Sequence, residues 1–164
     1  MKPQDLHEQG PKLGEIEIVA FEKQIGFILP DDYREFLLQT NGGVVPESTG
    51  YFCIESDNWW NHLNLFYGLR VPETPTIELM AVLRRLRESY PELFDLPFAK
   101  LPIASDHYGN KIYIVLNEPE NGSVYFWMHD AEVEDDKLSS SFQDFLDSLR
   151  EKPSKAERPE LYER

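Results

Sequence analysis

Residues 29–43, LPDDYREFLLQTNGG, predict a short amphipathic helix whose two ends are both marked in the sequence. Pro30 suits the first helical turn because no backbone donor is needed there. Asp31 and Asp32 interact favourably with the positive end of the helix dipole. The run Asn-Gly-Gly at 41–43 offers a left-handed stop. A helix that begins at the proline and ends at the asparagine is therefore expected.

The segment before it, residues 16–27, predicts a second helix, with Phe21 and Ile25 toward the core and Glu22 at the boundary. The same patterns predict later strands at 43–46, 51–54, 63–67, 101–105, 111–116 and 123–129, and later helices at 76–90 and 142–149. This order predicts a single α+β domain, with a mainly antiparallel sheet of about five to six strands covered by about four helices.

Four later strings accompany residues 29–43 in a fixed order. They are LFYGL at 65–69, LPIASDHYGNKIYIVL at 101–116, GSVYFWMHD at 122–130 and SFQDFL at 141–146. Together the five stretches resemble the SUKH superfamily, which groups bacterial immunity proteins against polymorphic toxins with fungal cell-wall regulators. The resemblance spans residues 16–149 and implies the same α+β fold.

Composition sets the broad class of the protein. A hydrophobic share of 41% in 164 residues is enough for one core. No apolar run approaches the roughly 20 residues of a membrane span, and the start lacks a signal peptide, so we expect a cytoplasmic protein without membrane contact. Cys53 is the single cysteine, which excludes an internal disulfide and a cysteine-rich zinc site. Residues 1–13 are predicted to be a flexible arm, 14–149 the domain and 150–164 a flexible tail.

The charge is strongly negative and lies in the domain rather than in the tail. The formal net charge is −14, and the five basic and four acidic residues of 150–164 leave −15 on residues 1–149. Such a field repels nucleic acid and speeds encounter with a basic partner. Solubility alone also explains an acidic composition, so charge by itself does not decide between the two.

Catalytic motifs are missing from the sequence, which has no phosphate-binding glycine loop, nucleophile elbow or HExxH zinc helix. The nearest metal candidate pairs Asp106-His107 with His129-Asp130 at strand ends. The competing interpretation is that Asp106 shapes a turn, His107 is exposed and the second pair closes a strand. We therefore expect no enzyme, no cofactor and no metal site.

Two groups of residues are candidates for binding a protein partner. Trp59 and Trp60 are expected in a loop between strands, where one ring is a candidate interface residue inside an acidic rim; covering the sheet is the alternative. The stretch after the strand WMHD is strongly acidic, which suits a solvated loop, a calcium site or docking to basic residues. The candidate contact residues are Glu55, Asp57, Trp59, Trp60, Asp130, Glu132, Glu134, Asp135 and Asp136.

The resemblance implies an immunity protein that binds and neutralises a toxin effector domain. Many toxins in such systems are nucleases, whose basic surface an acidic inhibitor can occlude. The alternative is a non-catalytic regulatory module like those of the fungal relatives. Three arginines on the predicted helix 76–90 lack an interleaved aromatic platform, so a nucleic-acid partner is not expected. The oligomeric state stays open.

Overall fold

The protein is seen in a computed structural model as one α+β domain. The structure describes residues 2–46, 52–56, 59–71, 78–94, 100–130 and 134–150, with the backbone alone for 52–56 and 59–61. The α+β prediction is confirmed, since helices and an antiparallel sheet share a single core.

The helices begin and end where capping chemistry dictates. They are a 3-10 turn at Pro3–Asp5 and α1 Glu15–Ile25, α2 Asp31–Thr40, α3 Leu79–Ser89, α4 Pro91–Phe94 and α5 Phe142–Ser148. Gly26 and Asn41 close α1 and α2 in the left-handed region, with φ of 79° and 51°. Ser141 begins α5, because its side chain accepts from the backbone N–H of Asp144. The two predicted opening helices are therefore confirmed.

The strands form one antiparallel sheet. They are β1 Gly43–Val44, β2 Phe52–Ser56, β3 Trp59–Phe66, β4 Lys100–Asp106, β5 Lys111–Val115, β6 Val124–Trp127 and β7 Asp136–Ser139. Their spatial order is β1-β3-β4-β5-β6-β7, and β2 also pairs with β3. β3 pairs with β2 through its first residues and with β1 through its last two. The predicted strands at 101–105, 111–116 and 123–129 correspond to β4, β5 and β6, which pair as consecutive antiparallel neighbours.

Helices pack on both faces of the sheet. On the first face, α2 and α5 contact β3 through a cluster of buried rings, which consists of Tyr33, Phe36, Phe66, Phe142 and Phe145. On the second face, the buried indole of Trp127 lies edge-on to the rings of Tyr90 and Phe94 from the α3–α4 segment. The sheet is thus the middle layer of three.

Several local predictions were wrong. Trp59 and Trp60 lie in β3 rather than in a loop, because β2 and β3 form a hairpin that includes them. The helix α3 ends before Pro91, as the predicted helix at 76–90 requires, and Pro91 then occupies the first position of the additional helix α4, where its missing N–H does no harm. The strand β7 was not predicted; it is a charged edge strand, in which charges discourage pairing with other chains.

The segment before α1 packs against the domain instead of forming a loose arm. Leu6 and Leu13 are buried, with 4% and 5% of their surface exposed. His7 pairs with Val44 through two backbone hydrogen bonds, with N···O distances of 2.9 and 2.7 Å. Burial of these two leucines helps to hold the segment against the domain. The prediction of a flexible arm missed them because the segment is polar on average. Residues 151–164 of the predicted tail, which begins at residue 150, lie outside the described part.

Candidate functional site

The turn between β4 and β5 is held by a buried carboxylate. Asp106 is 1% exposed and accepts hydrogen bonds from the backbone N–H of Tyr108 at 2.9 Å and of Asn110 at 2.8 Å. The side-chain amide of Asn110 donates to its other oxygen at 2.7 Å. Gly109 completes the turn with a φ of 92°. The interpretation that Asp106 shapes a turn is confirmed.

The end of β6 is tied to the same turn. The side-chain oxygen of Asn110 accepts from the backbone N–H of His129 at 3.2 Å and lies 2.9 Å from its Nδ1 atom. Asp130 follows directly and is exposed. Because this turn already occupies the Asp106 carboxylate, the candidate metal set of Asp106, His107, His129 and Asp130 has lost one of its four ligands. The described residues hold no group of three or more His, Cys, Asp or Glu side chains placed to bind one metal ion.

The β2–β3 hairpin extends beyond this end of the sheet. Leu63 of β3 pairs with Asp106, the last residue of β4, whereas residues 59–62 pair with β2 alone. In the hairpin, Glu55 lies opposite Trp60. The backbone N–H of His107 donates to the carbonyl of His62 at 3.2 Å, which joins the hairpin to the β4–β5 turn.

We call the end of the sheet that carries these parts the turn-end surface. It comprises the β2–β3 hairpin with Glu55, Trp59 and Trp60, the β4–β5 turn and Asp130. The structure therefore brings four of the candidate contact residues to one end of the molecule. Asp57, between Glu55 and Trp59 in the sequence, lies outside the described residues.

The turn-end surface contains one aromatic side chain that the sequence did not single out. Tyr108 is 69% exposed and lies on the β4–β5 turn, between the hairpin and Asp130. Tyrosine is enriched among residues that dominate protein interfaces. The sequence did contain a signal for this residue, because an aromatic side chain within the turn sequence DHYGN cannot pack into the core and must lie at the surface.

The acidic stretch after β6 does not act as one patch. Asp130, Glu134 and Asp136 are exposed, and Glu132 lies outside the described residues. Asp135 instead turns toward the sheet, where its Oδ2 accepts from Lys100 Nζ at 2.9 Å and from the Tyr113 hydroxyl at 2.6 Å. Burial and this carboxylate raise the pKa of Tyr113. Asp135 therefore stabilises the fold as well as adding charge.

The candidate residues also occupy two edges of the sheet. β3 and β7 are separated by four strand spacings, which is about 19 Å at the usual distance between neighbouring strands. Glu134 and Asp136 lie at the β7 edge, whereas Glu55, Trp59 and Trp60 lie at the β2–β3 edge. The two groups can contact one large partner, but they do not form one local site.

Comparison with known proteins identifies the family. Among the described residues, every helix is too short or too polar to span a membrane. No solved structure matches the chain significantly. The SPbeta prophage-derived uncharacterized protein YokK of Bacillus subtilis (strain 168) is 29% identical over 161 residues, covering 87% of this chain and 77% of that protein. The model of the SMI1 / KNR4 family (SUKH-1) matches residues 12–148, and the chain therefore belongs to that family.

Proposed function

We propose that this protein is a non-enzymatic, cytoplasmic immunity protein that binds a toxin effector domain and blocks it. Family membership over residues 12–148 carries this proposal, since SUKH proteins are generally non-catalytic immunity or regulatory proteins that act through protein–protein interaction. YokK is a bacterial, prophage-derived protein, which favours a bacterial role over that of a fungal cell-wall regulator.

The charge of the domain supports a basic effector, with a nuclease as the leading class. Residues 1–149 carry a net charge of −15. A nuclease needs cationic groups to hold phosphates, so an acidic inhibitor can cover the same surface that binds the substrate. The long-range attraction also accelerates association, which matters when the toxin must be captured before it acts.

The proposed contact region is the turn-end surface, extended by the acids of the β7 edge. Exposed Tyr108 and Asp130 lie beside a projecting hairpin that carries Glu55, Trp59 and Trp60. An aromatic centre with a charged rim is the usual anatomy of a tight interface. Asp57, which lies between Glu55 and Trp59 in the sequence, is proposed to belong to the same rim, and the acids proposed to extend it toward β7 are Glu132, Glu134, Asp135 and Asp136. Of these, Asp135 contributes least directly, because its carboxylate is bonded internally.

A pull-down from the native cells tests the function. Tagged protein is washed at low and high salt, and the bound proteins are identified by mass spectrometry. Recovery of a basic nuclease-like domain that is released by salt supports immunity. Recovery of proteins of cell-wall synthesis or signalling instead would overturn the proposal in favour of the regulatory module.

Charge reversal then tests the contact region with the captured domain. The triple variant Glu55→Lys, Asp57→Lys, Asp130→Lys is compared with a control of equal net charge, Glu8→Lys, Glu35→Lys, Glu118→Lys, whose residues are exposed elsewhere. At low salt we expect association of the first variant to be roughly tenfold slower than that of the control. Equal rates would place the interface on another surface while leaving the immunity role intact.

A further inference from the structure

A cavity of about 390 Å³ lies between α3 and the second face of the sheet. Its volume falls within the range of roughly 300–1,000 Å³ that is usual for small-molecule sites. Its apolar lining consists of Leu65, Val82 and Leu86. Its polar lining consists of Asn64, Tyr67, Arg85, Ser89, Ser105, Asp106, His107, Gly109 and Lys111. Arg85 and Ser89 lie on α3 together with Val82 and Leu86, so the helix side of the cavity carries both apolar and polar groups.

The polar lining of the cavity includes several basic side chains, although residues 1–149 carry a net charge of −15. Arg85 reaches the cavity from α3, Lys111 from the start of β5, and His107 from the β4–β5 turn. Asp106 lines the same cavity and keeps its negative charge while its carboxylate accepts three hydrogen bonds from its own turn. Arg85 and Lys111 together outweigh this one carboxylate, so the formal charge facing the cavity is net positive.

Lys111 is the centre of this arrangement. Burial has the largest effect on its ammonium and lowers the pKa; the Asp106 carboxylate raises the pKa, and the Arg85 guanidinium lowers it by a smaller amount. Two cations that repel each other beside a desolvated cavity wall create a site where a negative charge is stabilised. The ammonium donates to the carbonyl of Gly109. Since an ammonium has three donors, it can bind an anion without losing that bond.

We propose that this cavity binds a small organic anion, whose phosphate or carboxylate group contacts Lys111 and Arg85 and whose apolar body lies against Val82 and Leu86. The Tyr67 hydroxyl, which is hydrogen-bonded to Ser105, also lines the cavity and can donate to the anionic group. The ligand site borders the turn-end surface, because His107 and Gly109 of the β4–β5 turn belong to that surface and also line the cavity.

Calorimetric titration of the full chain tests the site with three probes of similar body. Phenyl phosphate and benzoate carry an anionic group, and phenol does not. We expect one or both anions to bind and phenol to bind at least tenfold more weakly. The stronger of the two anions identifies the head group. No binding of either anion at millimolar concentration, or equal binding of phenol, would overturn the proposal.

Two variants locate the binding. Lys111→Met keeps the aliphatic stem and Arg85→Gln keeps polarity; each should weaken binding of the better anion at least tenfold. Lys137→Met, on the β7 edge and outside the cavity, is the matched control and should bind as the unaltered protein does. If Lys111→Met fails to fold, Arg85→Gln decides alone. Unchanged affinity in a folded Arg85→Gln or Lys111→Met variant would refute the assignment.

Discussion

The two faces of the sheet are packed in opposite ways. On the first face, five rings from α2, α5 and β3 interlock, and Phe66, Phe142 and Phe145 have no exposed surface. On the second face, α3 leaves a cavity of about 390 Å³ with basic and hydroxyl groups on its wall. The first face is closely packed at this cluster, whereas the second face combines the packed rings of Tyr90, Phe94 and Trp127 with a cavity that opens to the surface. We therefore expect the first face to contribute most to stability, whereas the second face carries the proposed ligand site.

Truncation of the aromatic cluster should have the largest effect on this comparison. Phe66→Ala removes a fully buried ring that contacts Phe36, Phe142 and Phe145 and should lower the free energy of unfolding by about 3–5 kcal/mol. Val82→Ala, which enlarges the existing cavity, should lower it by about 1–2 kcal/mol, at about 0.8 kcal/mol per lost methyl. Urea denaturation measures both. Equal losses would contradict the assignment of stability to the first face.

The β4–β5 turn, which borders the cavity, should show the next largest effect. Asp106→Ala leaves two backbone N–H groups and the Asn110 amide without their acceptor and should lower the free energy of unfolding by about 2–4 kcal/mol. The exposed Asp130→Ala serves as the control and should change it by less than about 0.5 kcal/mol. A small loss for Asp106→Ala in urea denaturation would mean that the turn persists without its buried carboxylate.

Among the described residues of the first face, the buried hydroxyl of Tyr33 is expected to reduce stability. The hydroxyl of Tyr33 is fully buried and, within the described ranges, has no hydrogen-bond partner. Burial raises the pKa of this hydroxyl. Tyr33→Phe removes the desolvated group while keeping the ring contacts, so thermal unfolding should show no loss and a gain of up to about 1 kcal/mol. Tyr108→Phe, on an exposed ring, should leave stability unchanged. A clear loss for Tyr33→Phe would mean that the hydroxyl is satisfied.

The two opening helices, α1 and α2, could be predicted from sequence because their signals are local. Asn41 and Gly26 mark helix ends through their own backbone preference, and the apolar stripe around Phe36 has the helical period. By contrast, β7 carries Asp136 and Lys137, which read as a loop. Its strand conformation comes from pairing with β6, a contact between segments that local propensity does not contain.

The candidate site was predicted in composition but not in arrangement. The sequence shows that Glu55, Asp130 and Asp135 are acidic, yet it does not show that Asp135 turns inward to Lys100. Register across the sheet decides which strand ends meet, and register depends on the whole antiparallel order. The cavity could not be predicted from the sequence for the same reason. Arg85 and Lys111 are 26 positions apart, and only the packing of α3 on the sheet brings both of them to the cavity.

The smallest effect on stability is expected at the solvent-exposed pair Glu120 and Lys137, which joins the β5–β6 turn to β7. Glu120 accepts from Lys137, and from Ser123 Oγ at 2.9 Å, and these bonds lower the pKa of its carboxyl. A lowered pKa in the folded state stabilises the protein above the ordinary value of 4.5 and stops doing so as the pH falls through the lowered value. Glu120→Gln should therefore be slightly less stable than the unaltered protein at pH 7 and equally stable in strong acid. The control Glu118→Gln, at an exposed position two residues away, should be as stable as the unaltered protein at both pH values. Thermal unfolding from pH 7 to pH 2 measures the difference. If Glu120→Gln is still less stable at pH 2, the loss comes from disturbed local packing and not from the missing carboxylate charge.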